Sequence, residues 1–530
     1  MRQPLPPARL RWFGLAGSVL MAASAHLAGS ATDRGTGWVV GVGLWLLGAG
    51  GLVAVWWRLR AVAAPGWLLV TGALWALPLL LAPPLGSTDV YAYACQGQTV
   101  AAGLDPYAVG PDALPCRWLE SVPPMWRDAP APYGPLWLLV AGFVASLPDA
   151  GLPLAVTMLR LVAVAGLLLG TAAGARLARH CGGDPARVVW LGAIGPLPLV
   201  HVVSGAHNDA LLAGLVVLGL LVAAASSAPT GSPAAHGSPP AVSGSAGSAA
   251  VSGSAGSAAV SGFSRLAAGV GRLAVAGVAF GAAASVKATA LVVVPFALAA
   301  VPWARTARRR IAAGAVLAVA ALGTVLLLAT LTGFGLGFVH AWQATAGNVQ
   351  WSSIPTGVGM AVGYGLRVAG RPEAFDEAVE VARSLGLAAL AAILLVAWRR
   401  ALRDGVATAV PAAGAALLAT ALLGPVFYPW YALAGVAVLA AAAPRGRVTT
   451  LLDAGSAGLV FLTLPDSLGL VTKTKVPGAL LDVALVGWLL GRRAGRLPAD
   501  LVRRSRVLVG RTDARRRRRV RVSAEYRGSR

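Results

Sequence analysis

Charge is what this sequence has least of. Only 12 % of its 530 residues are charged, against roughly 25 % in an ordinary soluble protein. That excludes a chain of three or four water-soluble domains, which the length alone would suggest. Three cysteines are too few for a disulfide framework. Cys95 and Cys116 fall in one loop, where a disulfide and two buried thiols are both open, while Cys181 beside Arg179 and Arg187 reads as structural. No cleavable leader is evident: Met1 to Arg11 is basic, and the apolar stretch from Trp12 reads as a first span that stays attached.

What is present is apolar surface. Hydrophobic residues make up 57 %, and runs such as Ile311 to Leu331 recur from end to end. Each approaches the ~20 residues a helix needs to cross hydrocarbon. A bilayer leaves backbone groups no water, so these runs are helices. The expected fold is an all-α polytopic transmembrane helical protein of about fourteen spans with long extracytoplasmic loops. The spans fall near 11–30, 38–57, 66–82, 153–175, 188–204, 209–225, 268–284, 287–303, 311–331, 382–398, 405–424, 429–443, 449–465 and 477–491.

The formal charge of +24 is no sign of nucleic acid once its positions are read. Arg58/Arg60, Arg176/Arg179/Arg187, Arg305 to Arg310, Arg399/Arg400/Arg403, Arg445/Arg447, Arg492/Arg493/Arg496 and the run Arg515 to Arg519 all reach one face if the N-terminus is inside. That is the cytoplasmic face of a plasma-membrane protein, with both termini inside and a basic tail suited to anionic membrane lipid. The expected layout is an N-terminal membrane region, 1–225, with an outer loop at 83–152, then a flexible cytoplasmic linker at 226–264. A C-terminal membrane region, 265–495, carries a second outer loop at 332–381, and a basic tail follows at 496–530. The linker holds AVSGSAGSA twice in tandem, at 241–249 and 250–258, a composition that buries no core. Leu136 to Leu147 is too short to span and reads as an interfacial or dipping helix.

Sorted by side, the polar residues gather on the outer face. Asp89, Tyr91, Tyr93, Gln96, Asp105, Tyr107, Trp118, Trp126, Tyr133, His207, Asn208, Asp209, Lys287, Tyr428, Trp430 and Tyr431 lie far apart in the chain but at one level, the outer ends of spans. A sugar-binding cleft needs this mixture: carboxylates for hydroxyls and protons, aromatics for the ring's apolar face, a cation for phosphate. Asp89 follows the third span, and in a helix Tyr93 and Gln96 share its face. A semi-shielded Asp there acts as general base or merely caps the helix. Asp105, before Pro106, joins the site or shapes a turn. For His207-Asn208-Asp209, substrate contact and N-capping are both open, and one His with one Asp makes no metal site. Lys287 breaks the apolar stretch Leu273 to Val294, facing a lipid phosphate or snorkelling to the interface. Tyr428-Pro429-Trp430-Tyr431 is an interfacial belt or a stacking platform.

These residues carry a resemblance. DVYAYACQG at 89–97, GLDPY at 103–107, PYGPLW at 132–137, SGAHNDAL at 204–211, the Lys287 segment and YPWY at 428–431 resemble the actinobacterial polyprenol-phosphate-mannose-dependent α-1,6-mannosyltransferases, membrane glycosyltransferases of the GT-C class. The order of motifs is similar over roughly residues 10–495, and the repeat linker departs from it. The resemblance implies a GT-C-like fold, Asp89 as catalytic base, and the other residues of these motifs as substrate contacts. It further implies a polyprenyl-phosphate-mannose donor, a mannan or lipoglycan acceptor, an α-1,6 product formed by inversion, and no nucleotide sugar. No cofactor or metal is expected. The rivals are an enzyme for another lipid-linked sugar, a lipid or sugar flippase, and a structural scaffold. A flippase predicts midplane charges and an inverted repeat, and no clear repeat is seen; a scaffold leaves the polar loops without a role.

Overall fold

Backbone amides that cannot reach water must bond within their own segment, and the described residues form helices with no strand among them. The computed structural model describes residues 5–29, 35–62, 64–114, 116, 118–147, 151–226, 254–341, 347–443, 446–467 and 469–494. In chain order the helices are α1 (Pro7–Ala28), α2 (Thr36–Arg58), α3 (Pro65–Leu81), α4 (Asp89–Ala101), α5 (Pro135–Ala145), α6 (Leu152–His180), α7 (Pro185–Ser204), α8 (Asp209–Ala224) and α9 (Ser254–Ala284). There follow α10 (Ala288–Ala299), α11 (Ala307–Thr332), α12 (Ile354–Val368), α13 (Phe375–Asp404), α14 (Val406–Leu423), α15 (Pro429–Ala442), α16 (Arg447–Val460), α17 (Gly469–Lys473) and α18 (Lys475–Ala494).

Among the described residues, 7 helices are long and apolar enough to cross a membrane, in α2, α6, α7, α9, α11, α13 and α14. The helices α3, α5, α8, α10 and α15 are apolar but shorter. Side chains such as Ile311, Val319 and Leu385 face outward with most of their surface exposed. The chain is an all-α polytopic membrane protein. Every segment expected as a span overlaps one of these helices. Leu136 to Leu147 falls on α5, whose 11 residues make about 16 Å of helix, half of the hydrocarbon thickness. Helix α9 begins at Ser254, inside the segment expected as a linker. Residues 227–253 of that linker, 342–346 of the second outer loop and the basic tail lie outside the described residues.

Water-free helix pairs associate by close packing, so small residues mark the contacts. On α6 and α8 the backbones meet at glycine: a Cβ on Gly166 would lie 2.5 Å from Leu211 Cα, and one on Gly214 would lie 2.4 Å from Gly166 O. Helices α2 and α7 are joined by Trp56 and Trp190, whose rings stack at 4.1 Å. Each indole N–H donates to the other's backbone carbonyl, at 3.2 and 2.9 Å. Arg187 of α7 makes a two-pronged ion pair with Asp453 of α16.

One buried cation organises the approach to the site. Arg160 of α6, 4 % exposed, donates to Ser204 O at 3.0 Å and Leu80 O at 2.9 Å. It thus joins the end of α3 to the end of α7, where the last turn of α7 widens to a π-helix over Leu199–Ser204. A guanidinium suits this task because its fork satisfies two carbonyls left open by helix ends.

Gly166→Val would force α6 off α8. Overpacking of this kind costs about 1–3 kcal/mol, so the purified variant is expected to unfold at a lower temperature in a detergent thermal melt.

Candidate active site

The segment between α3 and α4 is held on both sides. Leu85 N–H donates to Ser204 Oγ at 3.1 Å and Gly86 N–H to Pro465 O at 3.0 Å. Gly86 has φ +74, a conformation that costs glycine little and other residues more. The strap ends at Asp89, the first residue of α4. Asp89 N–H donates to Ser87 Oγ at 3.1 Å, and its carboxylate Oδ1 accepts the Trp126 indole N–H at 3.1 Å. Burial pushes the Asp89 pKa up to about 6, against the lowering effect of the bonds to Trp126 and Ser87 and of the Lys287 charge.

A second polar pair faces it. After the π-turn the chain passes through Ala206 at φ 56, the left-handed region, which costs a non-glycine residue about 1–3 kcal/mol. The turn delivers His207, Asn208 and Asp209 to the start of α8. Lys287 sits in extended backbone, φ -147 and ψ 128, at the break between α9 and α10. Its Nζ lies 2.6 Å from Asp209 Oδ2, with the side chains 12 % and 7 % exposed. The ammonium also lies 4.5 Å from the Tyr431 ring centre and 5.6 Å from that of Tyr133. The α5 entry is docked on the same break: Gly134 N–H donates to Val286 O and Leu136 N–H to Ser285 O, at 3.1 and 2.9 Å. A Cβ on Gly134 would meet Ser285 O at 2.6 Å, so glycine lets Tyr133 reach Lys287.

Asp89, Asp209, Lys287, Tyr133, Tyr428, Trp430 and Tyr431 line one cavity of about 430 Å³. Its remaining wall includes Trp126, Thr289, Thr420 and the aliphatic Leu212, Leu387, Leu390, Leu417 and Ala421. Behind the aromatic wall, His207 stacks on Trp430 at 3.7 Å and Trp430 on Tyr428 at 4.9 Å. Tyr93 OH meets His207 Nδ1 at 3.3 Å, and the Tyr93 ring stands edge-on to Tyr133 at 5.2 Å.

The sequence candidates therefore divide. Tyr93 and His207 support the wall from behind. Asn208 is buried, with neither side-chain polar atom bonded, and it makes no side-chain capping bond, the alternative to substrate contact in its sequence reading. Gln96 lines a separate space of about 10 Å³ on the other flank of Asp89. Tyr91 packs away from the large cavity in the cluster around Val156 and Leu159. Asp105 is exposed and accepts the Tyr107 N–H at 2.9 Å, a turn before Pro106; Tyr107 packs against Phe338. Cys95 and Cys116 form a disulfide. No group of three or more His, Cys, Asp or Glu is placed to hold a metal ion among the described residues. Trp126, named only among the outer aromatics by sequence, touches Asp89 directly. No spacing rule connects a tryptophan in the short 3-10 turn Pro124–Trp126 to an acid 37 positions earlier. The aliphatic wall resembles any lipid-facing helix in sequence.

A family model described as alpha-(1->6)-mannopyranosyltransferase, N-terminal domain, matches residues 11–305, and one described as MptB C-terminal domain matches 355–492. The chain is 31 % identical over 388 residues to alpha-(1->6)-mannopyranosyltransferase Rv1459c of Mycobacterium tuberculosis, covering 70 % of this chain and 65 % of that protein's length. It is 29 % identical over 482 residues to alpha-(1->6)-mannopyranosyltransferase A of the same organism, covering 87 % and 84 %. It is 28 % identical over 437 residues to alpha-(1->6)-mannopyranosyltransferase B of Corynebacterium glutamicum, covering 80 % and 67 %. No solved structure matches.

Removing one member of a buried ion pair strands the other, at about 3–5 kcal/mol, whereas replacing both with apolar groups is far milder. Lys287→Met and Asp209→Leu are each expected to lower the unfolding temperature more than the double variant does, in a double-mutant cycle by thermal melt.

Proposed function

The chain belongs to the alpha-(1->6)-mannopyranosyltransferase family, and on that premise we propose that it transfers mannose from a polyprenyl-phosphate-mannose donor to a mannan or lipoglycan acceptor. The observation that carries the reading is one cavity, about 430 Å³, with a carboxylate, a cation, an aromatic wall and an aliphatic wall. Pockets for one small molecule run to about 300–1,000 Å³, so this space suits the sugar phosphate. The polyprenyl chain would continue along Leu212, Leu390 and Leu417 toward Leu387, which is 49 % exposed on the helix surface.

The chemistry needs one base and one anion site. Asp89 takes the proton of the acceptor's primary hydroxyl as that oxygen bonds the anomeric carbon. The bond from that carbon to the phosphate oxygen breaks, and the phosphate leaves with the bonding electron pair. A single displacement turns a β donor into an α-1,6 product. Lys287 offsets the charge developing on the phosphate, and Tyr133 and Tyr431 bracket the ammonium from which it does so. Phosphate leaves readily without protonation, so the second carboxylic acid required for glycoside hydrolysis is unnecessary. The sidedness of arginine supports an extracytoplasmic site in the plasma membrane, with both termini inside.

Purified protein supplied with a panel of polyprenyl-phosphate sugars tests the assignment. Mannose should be transferred and a nucleotide sugar left untouched; movement of lipid or sugar across the membrane with no new glycosidic bond would support a flippase instead. Asp89→Asn should retain donor binding and lose at least about 100-fold in transfer rate, the lower range for a positioned base. The base form of Asp89 exists above its pKa of about 6, so transfer should fall as pH drops through that value. A rate that is flat from pH 5 to pH 8 would remove Asp89 from that role.

A further inference from the structure

Asp89 cannot orient itself. It is the first residue of α4, reached through a turn, and from its own strap only the Ser87 side chain bonds it, more weakly than the group across the cavity edge. The stronger bond comes from the loop between α4 and α5. Trp126 lines the large cavity, lines the 10 Å³ space on the other flank of Asp89, and bonds the carboxylate between them.

That loop is built to hold its place. The Cys95–Cys116 disulfide ties it to α4, and Arg127, next to Trp126, donates Nε to Val122 O at 3.0 Å. Asp112 N–H donates back to Arg127 O at 2.9 Å, and Ala131 N–H to Pro106 O at 2.8 Å. The loop therefore sits on α4 as a covalently fastened flap with the indole at its inner edge. The small space on the far side has room for about one water, so an acceptor hydroxyl must come from the large cavity.

We propose that Trp126 is the positioning residue for Asp89: its indole N–H holds Oδ1 and leaves Oδ2 to take the acceptor's proton, and the disulfide-fastened loop keeps the indole there. This rests on the reading of Asp89 as the base. A bond to an ionised carboxylate favours its charged form. Loss of the N–H thus does two things at once: the carboxylate keeps only the Ser87 bond to restrain it, and it holds a proton to higher pH. Packing of the ring alone would do neither.

Trp126→Phe keeps the ring and removes the N–H. In full-length enzyme purified from membranes, transfer at neutral pH should fall on the order of tenfold with the KM for a polyprenyl-phosphate-mannose little changed. The acid limb of the pH–rate profile should move to higher pH. Mild reduction of the wild-type enzyme, opening Cys95–Cys116 without any substitution, should move the limb in the same direction, and this arm decides the matter if the variant does not accumulate. A lower rate with an unmoved limb, or an unchanged enzyme, overturns the proposal. Run beside them, Asp89→Asn separates the two readings: its retaining transfer would remove the base itself, whereas an inactive Asp89→Asn with an unmoved limb in Trp126→Phe would remove only the role of Trp126.

Discussion

The contact between Lys287 and Asp209 is the constraint on which the site depends. An ammonium among apolar helices is costly unless paired, and Asp209 Oδ2 at 2.6 Å supplies the pair. To bring these groups together the chain breaks the apolar run between α9 and α10, and turns sharply before α8 through Ala206 in the left-handed region. The α5 entry then closes on the break through the Ser285 and Val286 carbonyls, which sets Tyr133 beside the ammonium. A cation already neutralised by a carboxylate is stable when the cavity is empty. In the proposed reaction the phosphate offers the same ammonium a second acceptor.

Around that pair, parts distant in sequence serve one wall. Arg160 holds the ends of α3 and α7 together, and this fixes both the strap leading to Asp89 and the turn leading to Asp209. The C-terminal half contributes Trp430 and Tyr428, stacked in line with His207. The loop before them is fastened by Ser352 to Phe427 O at 2.8 Å and by Ser353 to Gly424 O at 2.6 Å. Both regions matched by the two family models therefore reach the same cavity.

Much of the fold was legible because the bilayer makes span and helix almost synonymous: the apolar runs predicted segments, and each overlaps a helix. The pairing of spans was not legible, because it depends on glycine contacts such as Gly166 with Leu211 that leave no periodic signal. At the site, Lys287 stood out as a charge in an apolar stretch and Asp89 as a semi-shielded acid after the third span, while Asp209 read equally as a helix cap. Sequence set Lys287 against the interface or a phosphate, whereas its contact in the fold is Asp209, a long-range partner with no local signature. Asp105 before Pro106 read as a site residue or a turn former, and in the fold it spends its carboxylate on the Tyr107 N–H. Trp126 carries no charge and stands in an irregular loop, so only the fold connects it to Asp89.

In the proposed reaction this cavity presents Lys287 to a lipid-linked phosphate. Anything that binds only the folded state raises its unfolding temperature, so a thermal melt in the presence of a polyprenyl phosphate without sugar reads that contact without catalysis. The wild-type protein should be stabilised further with each increase in lipid, and the paired Lys287→Met, Asp209→Leu variant should not. Equal stabilisation of both proteins would contradict it.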